Sequence, residues 1–274
     1  MTSSAAPVAV FDSGIGGLSV ARELHAALPS EHLLYLADHA YVPYGDRTTA
    51  EVHARTLVAG RWLQAQGAKV LVVACNTASG AALEALREEL SIPVVGLEPA
   101  VKPAVATSRN GRVGVMATVG TLASERYARL VASHANGSHV VPQPCPGLAD
   151  LIEDGHLDGD ALREVIAGFA APLREAGVDT VVLGCTHYPF VRQAIAEALG
   201  PDVRILDSGE AIARQTARVL RERGVAAAEG AGSLRLLTTG DPAEVAPVVA
   251  RVWGSPLPVE HVTLPSIAEP AAAR

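Results

Sequence analysis

The feature that most constrains this chain is an internal likeness between two short stretches, Val72-Val73-Ala74-Cys75-Asn76-Thr77 and Val182-Leu183-Gly184-Cys185-Thr186-His187. Each follows a glycine and an apolar run, Gly67-Ala68-Lys69-Val70-Leu71 in the first and Gly177-Val178-Asp179-Thr180-Val181 in the second. Each sets a cysteine where a strand-like run gives way to small polar residues. The cysteines lie 110 positions apart, and the spacing carries on to Pro93-Val94-Val95 and Val203-Arg204-Ile205. Upstream, Val8-Ala9-Val10-Phe11-Asp12-Ser13 matches Val113-Gly114-Val115-Met116-Ala117-Thr118 at a spacing of 105. A duplicated α/β unit, with five residues inserted in the second copy, explains both spacings. Two such halves can face one another with a thiol on each side of a cleft.

The length of 274 residues fits two domains better than one. Strands are expected at 8–11, 33–36, 70–74 and 93–97, and, from about Glu98 onward, at 113–116, 139–141, 180–183 and 203–206. A helix over 18–28 ends before Pro29, and Thr48 with Glu51 forms a capping box for a helix that Gly67 stops. Further helices are expected over 80–90 and 208–223, and one opening at Asp241-Pro242 between strands at 234–237 and 259–262. Segment 37–45 reads as a loop, 225–232 as a surface loop and 263–274 as a loose tail. Strands alternating with helices make this an α/β chain of two pseudo-symmetric, doubly wound units with mainly parallel sheets. Ligands of such sheets sit beyond the carboxyl ends of the strands, where both cysteines, Asp12 and Thr118 all fall.

Composition narrows the chemistry. A formal net charge of −7 and 4% aromatics argue against a nucleic-acid surface. No apolar run reaches the length of a membrane span, and the start lacks the basic and apolar regions of a secretion signal. Three cysteines, an odd and sparse set, suit a reducing compartment, so a cytoplasmic location is expected. A thiol, with a reference pKa of roughly 8.5, carries protons near neutral pH. Two thiols on opposite faces of a carbon acid can take a proton from one side and deliver one to the other, inverting a stereocentre without a cofactor. A lone free cysteine is as readily a packing residue, and Cys145, in Pro144-Cys145-Pro146, is read as one.

Asp12-Ser13-Gly14-Ile15-Gly16-Gly17 is not a dinucleotide fingerprint, because Ser19 stands where the last glycine belongs. It suits instead a loop of N–H donors that binds a carboxylate, with Asp12 as catalytic group or as a simple turn cap. His187 lies two residues after Cys185, so in extended chain both side chains face the same way. Cys-x-His is not zinc-like spacing and no second ligand pair completes it, so no metal is expected.

Taken in order, Phe11-Asp12-Ser13-Gly14-Ile15-Gly16-Gly17, Tyr35-Leu36-Ala37-Asp38, Val42-Pro43-Tyr44-Gly45, Ala74-Cys75-Asn76-Thr77, Gly114-Val115-Met116-Ala117-Thr118 with Thr121, Cys145-Pro146 with Glu153, and Leu183-Gly184-Cys185-Thr186-His187-Tyr188-Pro189 resemble the glutamate racemases. These are cofactor-independent enzymes of bacterial cell-wall (peptidoglycan) synthesis. The resemblance covers about residues 8–210 and implies that Cys75 takes the α-proton from D-glutamate and Cys185 from L-glutamate. It implies that Asp12 assists Cys75, and that His187 and Glu153 assist Cys185. Ser13, Asn76, Thr77, Thr118, Thr121 and Thr186 would hold the substrate's charged groups, with Pro43, Tyr44 and Gly45 at one carboxylate. The chain after about Asp207 would rejoin the first unit, giving domains of 1–97 plus 208–274 and of 98–207. A homodimer is one assembly open to such a chain. Two other readings stand beside this one: a racemase for aspartate or another acid, and a two-lobed binding protein for a small carboxylate.

Overall fold

Ten strands, every neighbouring pair parallel, account for the alternation in the sequence. The computed structural model describes residues 4–228 and 230–267. Among them the strands are β1 (Val8–Asp12), β2 (Leu33–Ala37), β3 (Val70–Val73), β4 (Val94–Gly96), β5 (Arg112–Ala117), β6 (His139–Pro144), β7 (Thr180–Leu183), β8 (Arg204–Leu206), β9 (Leu234–Thr238) and β10 (Val259–His261). One sheet has the order β10-β9-β2-β1-β3-β4 and the other β6-β5-β7-β8.

The duplication is visible in this topology. The run β2-β1-β3-β4 recurs as β6-β5-β7-β8. Val8 pairs with Val70 in the first sheet and Val113 with Thr180 in the second, so the two sequence spacings meet on one rung. The likeness slips by one residue further out, where Leu71 pairs with Val94 but Val181 pairs with Ile205.

Strands β1, β2 and β3 are buried along their whole length. Such sheets are covered by helices on both faces, which is why these strands read as unbroken apolar runs. Val8 and Val10 point into one core, Ala9 and Phe11 into the other. Each such side chain contributes about 1.5–3 kcal/mol on burial, which holds the carboxyl ends of β1 and β3 rigidly. The capping box of Thr48 and Glu51 is formed, opening the helix Thr49–Ala65.

Three expectations needed correction. The helix after β3 begins at Asn76 rather than near residue 80, because the Cys75 sulfur accepts the Ala78 N–H and caps it. Strand β6 continues through Pro142 to Pro144, which an edge strand tolerates since its outer N–H groups need no partner. The tail is not loose where it is described: Leu264 is buried, and the Pro265 carbonyl accepts from Arg55 Nη1. Its residues 268–274 lie outside the described residues. The surface loop expected at 225–232 stands: its described residues carry no helix or strand and none is buried, the Ala227 N–H donating to Glu31 Oε1 and the Gly232 N–H to the Pro29 carbonyl, while Glu229 is outside the described residues.

After β8 the helix Gly209–Glu222 packs along Leu18–Ala27, and β9 then pairs with β2, returning the chain to the first sheet. Among the described residues no helix is long and apolar enough to cross a membrane.

Candidate active site

The carboxyl ends of the inner strands converge on one cavity, which leaves about 30 Å³ open to the centre of a water molecule. Ser13 reaches it from the loop after β1, and Pro43, Tyr44 and Gly45 from the loop after β2. Cys75, Asn76 and Thr77 come from the end of β3, Thr118 and Thr121 from the end of β5. Cys185, Thr186 and His187 follow β7, and Glu153 ends the helix Leu148–Glu153. Of the residues singled out from sequence, Asp12 alone does not line the cavity: it is fully buried beneath Ser13.

The two cysteines meet different surroundings. Cys75 caps its helix, with its sulfur 3.4 Å from the Ala78 nitrogen and its thiol donating weakly to Ser13 Oγ at 3.9 Å. A helix N-terminus favours a thiolate. Burial and the neighbouring Asp12 carboxylate outweigh it, and push the Cys75 thiol up to about 12. Burial likewise pushes the Asp12 carboxyl up to about 6, against the pull of His187 and of the Gly14 N–H. Asp12 spans the two halves, accepting from Gly14 N at 2.8 Å and from Thr186 Oγ1 at 3.0 Å.

Cys185 instead has an imidazole beside it, with His187 Nδ1 3.5 Å from its sulfur. His187 Nε2 is 2.5 Å from Glu153 Oε1. Burial opposes charge on His187, yet the Cys185 sulfur and the Glu153 carboxylate overcome it and hold the imidazole well above its ordinary pKa. Glu153 is held at about 2, since His187 and His39 outweigh its burial. A protonated imidazole at this distance stabilises negative charge on the facing sulfur.

The glycine-rich loop serves a purpose its sequence concealed. Its Ile15 N–H does bind a carboxylate, but the protein's own, Glu153 Oε1 at 2.7 Å. A Cβ on Gly14 would stand 1.7 Å from that same oxygen, and one on Gly16 would stand 2.4 Å from the His187 ring. The glycines therefore let the groups behind Cys185 dock on the first half. Across the cavity, Thr77 Oγ1 lies 3.1 Å from Thr118 Oγ1 and 3.3 Å from Thr121 Oγ1, again joining the two halves. Among the described residues neither arginine nor lysine lines the cavity, so an anion there meets neutral donors and His187.

Residues 16–216 match the model of the Asp/Glu/hydantoin racemases. The chain belongs to that family.

As a member of the family it is an amino-acid racemase, and its relatives agree. It is 49% identical to a glutamate racemase of Pseudomonas aeruginosa over 257 residues, 93% of this chain and 97% of that one. It superposes on the glutamate racemase isoform RacE1 of Bacillus anthracis with a TM-score of 0.88 at 35% identity, covering 94% and 97% of the two chains. The Escherichia coli glutamate racemase, solved with L-glutamate and the activator UDP-MurNAc-Ala, gives 0.84 at 33% identity over 95% and 100%. A purely non-catalytic binding protein is set aside by this membership.

Sequence reasoning about this racemase missed the place of Cys145 in the cavity and those of Asp38 and His39 behind it. Cys145, read as packing, lines the cavity although it is 2% exposed. Asp38 is a buried anchor: it takes two bonds of 2.7 Å from Arg55, one from the Tyr44 hydroxyl at 2.6 Å and one from Thr239, fixing the loop that carries Tyr44 and Gly45. The His39 contact to Glu153, at 3.2 Å, left no signal in a loop read only as broken.

Proposed function

We propose that this racemase interconverts L- and D-glutamate without a cofactor, passing a proton between Cys75 and Cys185 across Cα. The observation that carries the reading is the pair of cysteines at equivalent strand ends lining one cavity, each in its own proton environment. The names of the relatives at 33–49% identity support glutamate as the substrate.

In the L-to-D direction Cys185, with His187 and Glu153 behind it, removes the α-proton, and the Cys75 thiol, which burial and Asp12 keep protonated, delivers one to the other face. In the reverse direction Cys75 is the base, with Asp12 beside it. Among the described residues neither arginine nor lysine lines the cavity, and the substrate's own α-ammonium would supply a cation near Cys75 on binding. Neutral donors from Ser13, Asn76, Thr77, Thr118, Thr121 and Thr186, with the Tyr44 and Gly45 backbone beside Pro43, hold the carboxylates. A fixed guanidinium would stabilise the ground state as much as the transition state. The narrow cavity keeps bulk water from the carbanion. The product D-glutamate would supply peptidoglycan synthesis in the cytoplasm.

The test is solvent exchange in D₂O with no cofactor added. L-Glutamate should give D-glutamate that is deuterated at Cα, while the early residual L-glutamate stays protonated, because the acid and the base are different groups. Equal early labelling of substrate and product would instead mean one shared base. Cys75→Ser and Cys185→Ser should each lower turnover by at least about 10³. Near-normal turnover in either variant would overturn the two-thiol mechanism.

A further inference from the structure

The polar contacts behind Cys185 do not stop at Glu153. Its Oε1 faces His187 Nε2 and the Ile15 N–H, and its Oε2 faces His39 Nε2 at 3.2 Å. His39 is held in turn by its Nδ1, 2.8 Å from Thr238 Oγ1 on β9. On its other side lies a second hollow, open to solvent, that leaves about 510 Å³ to the centre of a water molecule. That is far wider than the substrate cavity, and His39 and Glu153 both line it, with 11% and 9% of their side chains exposed.

We propose that His39 is a positioning residue for the Cys185 half of the reaction: it pins the outer oxygen of Glu153, whose carboxylate borders the second hollow. The inference rests on the two-thiol reading and extends it to a residue outside the substrate cavity.

A carboxylate with one oxygen fixed can swing about its last bond, and a small misplacement of a catalytic partner costs activity steeply. With Oε2 held by His39, Oε1 stays on His187, and His187 stays on the Cys185 sulfur. The charged groups around His39 are Glu153 from the helix Leu148–Glu153, Asp154 just beyond it, and Asp241 and Glu244 at the start of the helix Pro242–Trp253. All are acidic, so removing the imidazole leaves Oε2 with no substitute donor among them.

The test compares His39→Ala with His39→Gln, whose amide can donate to Glu153 from nearly the same place. His39→Ala should lower kcat/KM by about tenfold to a hundredfold, and equally in both directions, since enantiomers are equal in energy. His39→Gln should restore most of the rate. A His39→Ala enzyme with an unchanged rate would overturn the proposal. So would a loss of rate that His39→Gln does not rescue, which points to packing alone. Cys185→Ser, measured alongside, separates the readings: if it kept turnover, the two-thiol mechanism itself would have failed.

Discussion

The two sides of the cavity share a scaffold and differ in charge. Cys75 and Cys185 follow equivalent strands of equivalent sheets, paired on the same rung with β1 and β5. Beyond the strand ends the copies diverge. Cys75 caps a fourteen-residue helix, with Asp12 and Ser13 beside it. Cys185 leads into a short 3-10 turn, Tyr188–Val191, and takes His187 and Glu153 as partners. Duplication thus places the two sulfurs, and the residues that differ between the copies give each its own surroundings. Symmetry of position does not entail symmetry of charge.

The largest expected effect comes from removing the imidazole that makes the sides unequal. His187→Asn should lower kcat/KM by about 10²–10⁴. The equilibrium constant between enantiomers is one, so the fall must be the same in both directions. The asymmetry should appear in the primary isotope effect, which grows more for Cα-deuterated L-glutamate than for the D form. Equal growth would mean that His187 does not belong to one side.

Next comes the docking of the two halves. Gly16→Ala drives a methyl group into the His187 ring, and should cost about 1–3 kcal/mol of stability together with most of the activity. A melting curve and a rate on the same sample check this. Retained activity would show that the loop yields and that the Cys185 side needs no such close approach.

The pH dependence separates the two carboxylates. Glu153, held at about 2, does not titrate near neutrality, whereas Asp12 sits at about 6. The rate should therefore fall below about pH 6 as Asp12 gains its proton, and Asp12→Asn should flatten that limb at a lower plateau. The stability consequence has a definite sign. Asp12 binds its proton more tightly folded than unfolded, so its contribution is complete below its ordinary value of 3.8 and is lost as pH rises through about 6. Relative to the wild type, Asp12→Asn should gain about 1–3 kcal/mol between pH 4 and pH 8. A constant difference across that range contradicts the assignment. The smallest effect belongs to Cys145, whose sulfur donates weakly to the Gln143 carbonyl at 3.5 Å. Cys145→Ser should change kcat/KM by no more than about threefold, and a larger loss would make it a third participant.

Much of the scaffold was legible because its signals are local or repeated. Unbroken apolar runs marked the strands of the parallel sheets, and the two spacings marked the duplication that recurs as β2-β1-β3-β4 and β6-β5-β7-β8. The cavity followed from where those strands end. What sequence hid was contact at long range. Nothing in Gly14 or Gly16 tells that Glu153 and His187 will lie against them, and nothing in His39 tells that it meets Glu153 across 114 positions. The helix at Asn76 was placed late because cysteine is not among the usual N-cap residues. Asp38 resembles any loop acid until Arg55 and Tyr44 close around it.

The account rests on the two sulfurs flanking one carbon, and a crystal structure with L-glutamate bound tests that most directly. It should show Cα between Cys75 Sγ and Cys185 Sγ, each about 3–4 Å away and on opposite faces, with the α-hydrogen toward Cys185. Both sulfurs on one face, or either of them out of reach of Cα with the cavity closed, would contradict it.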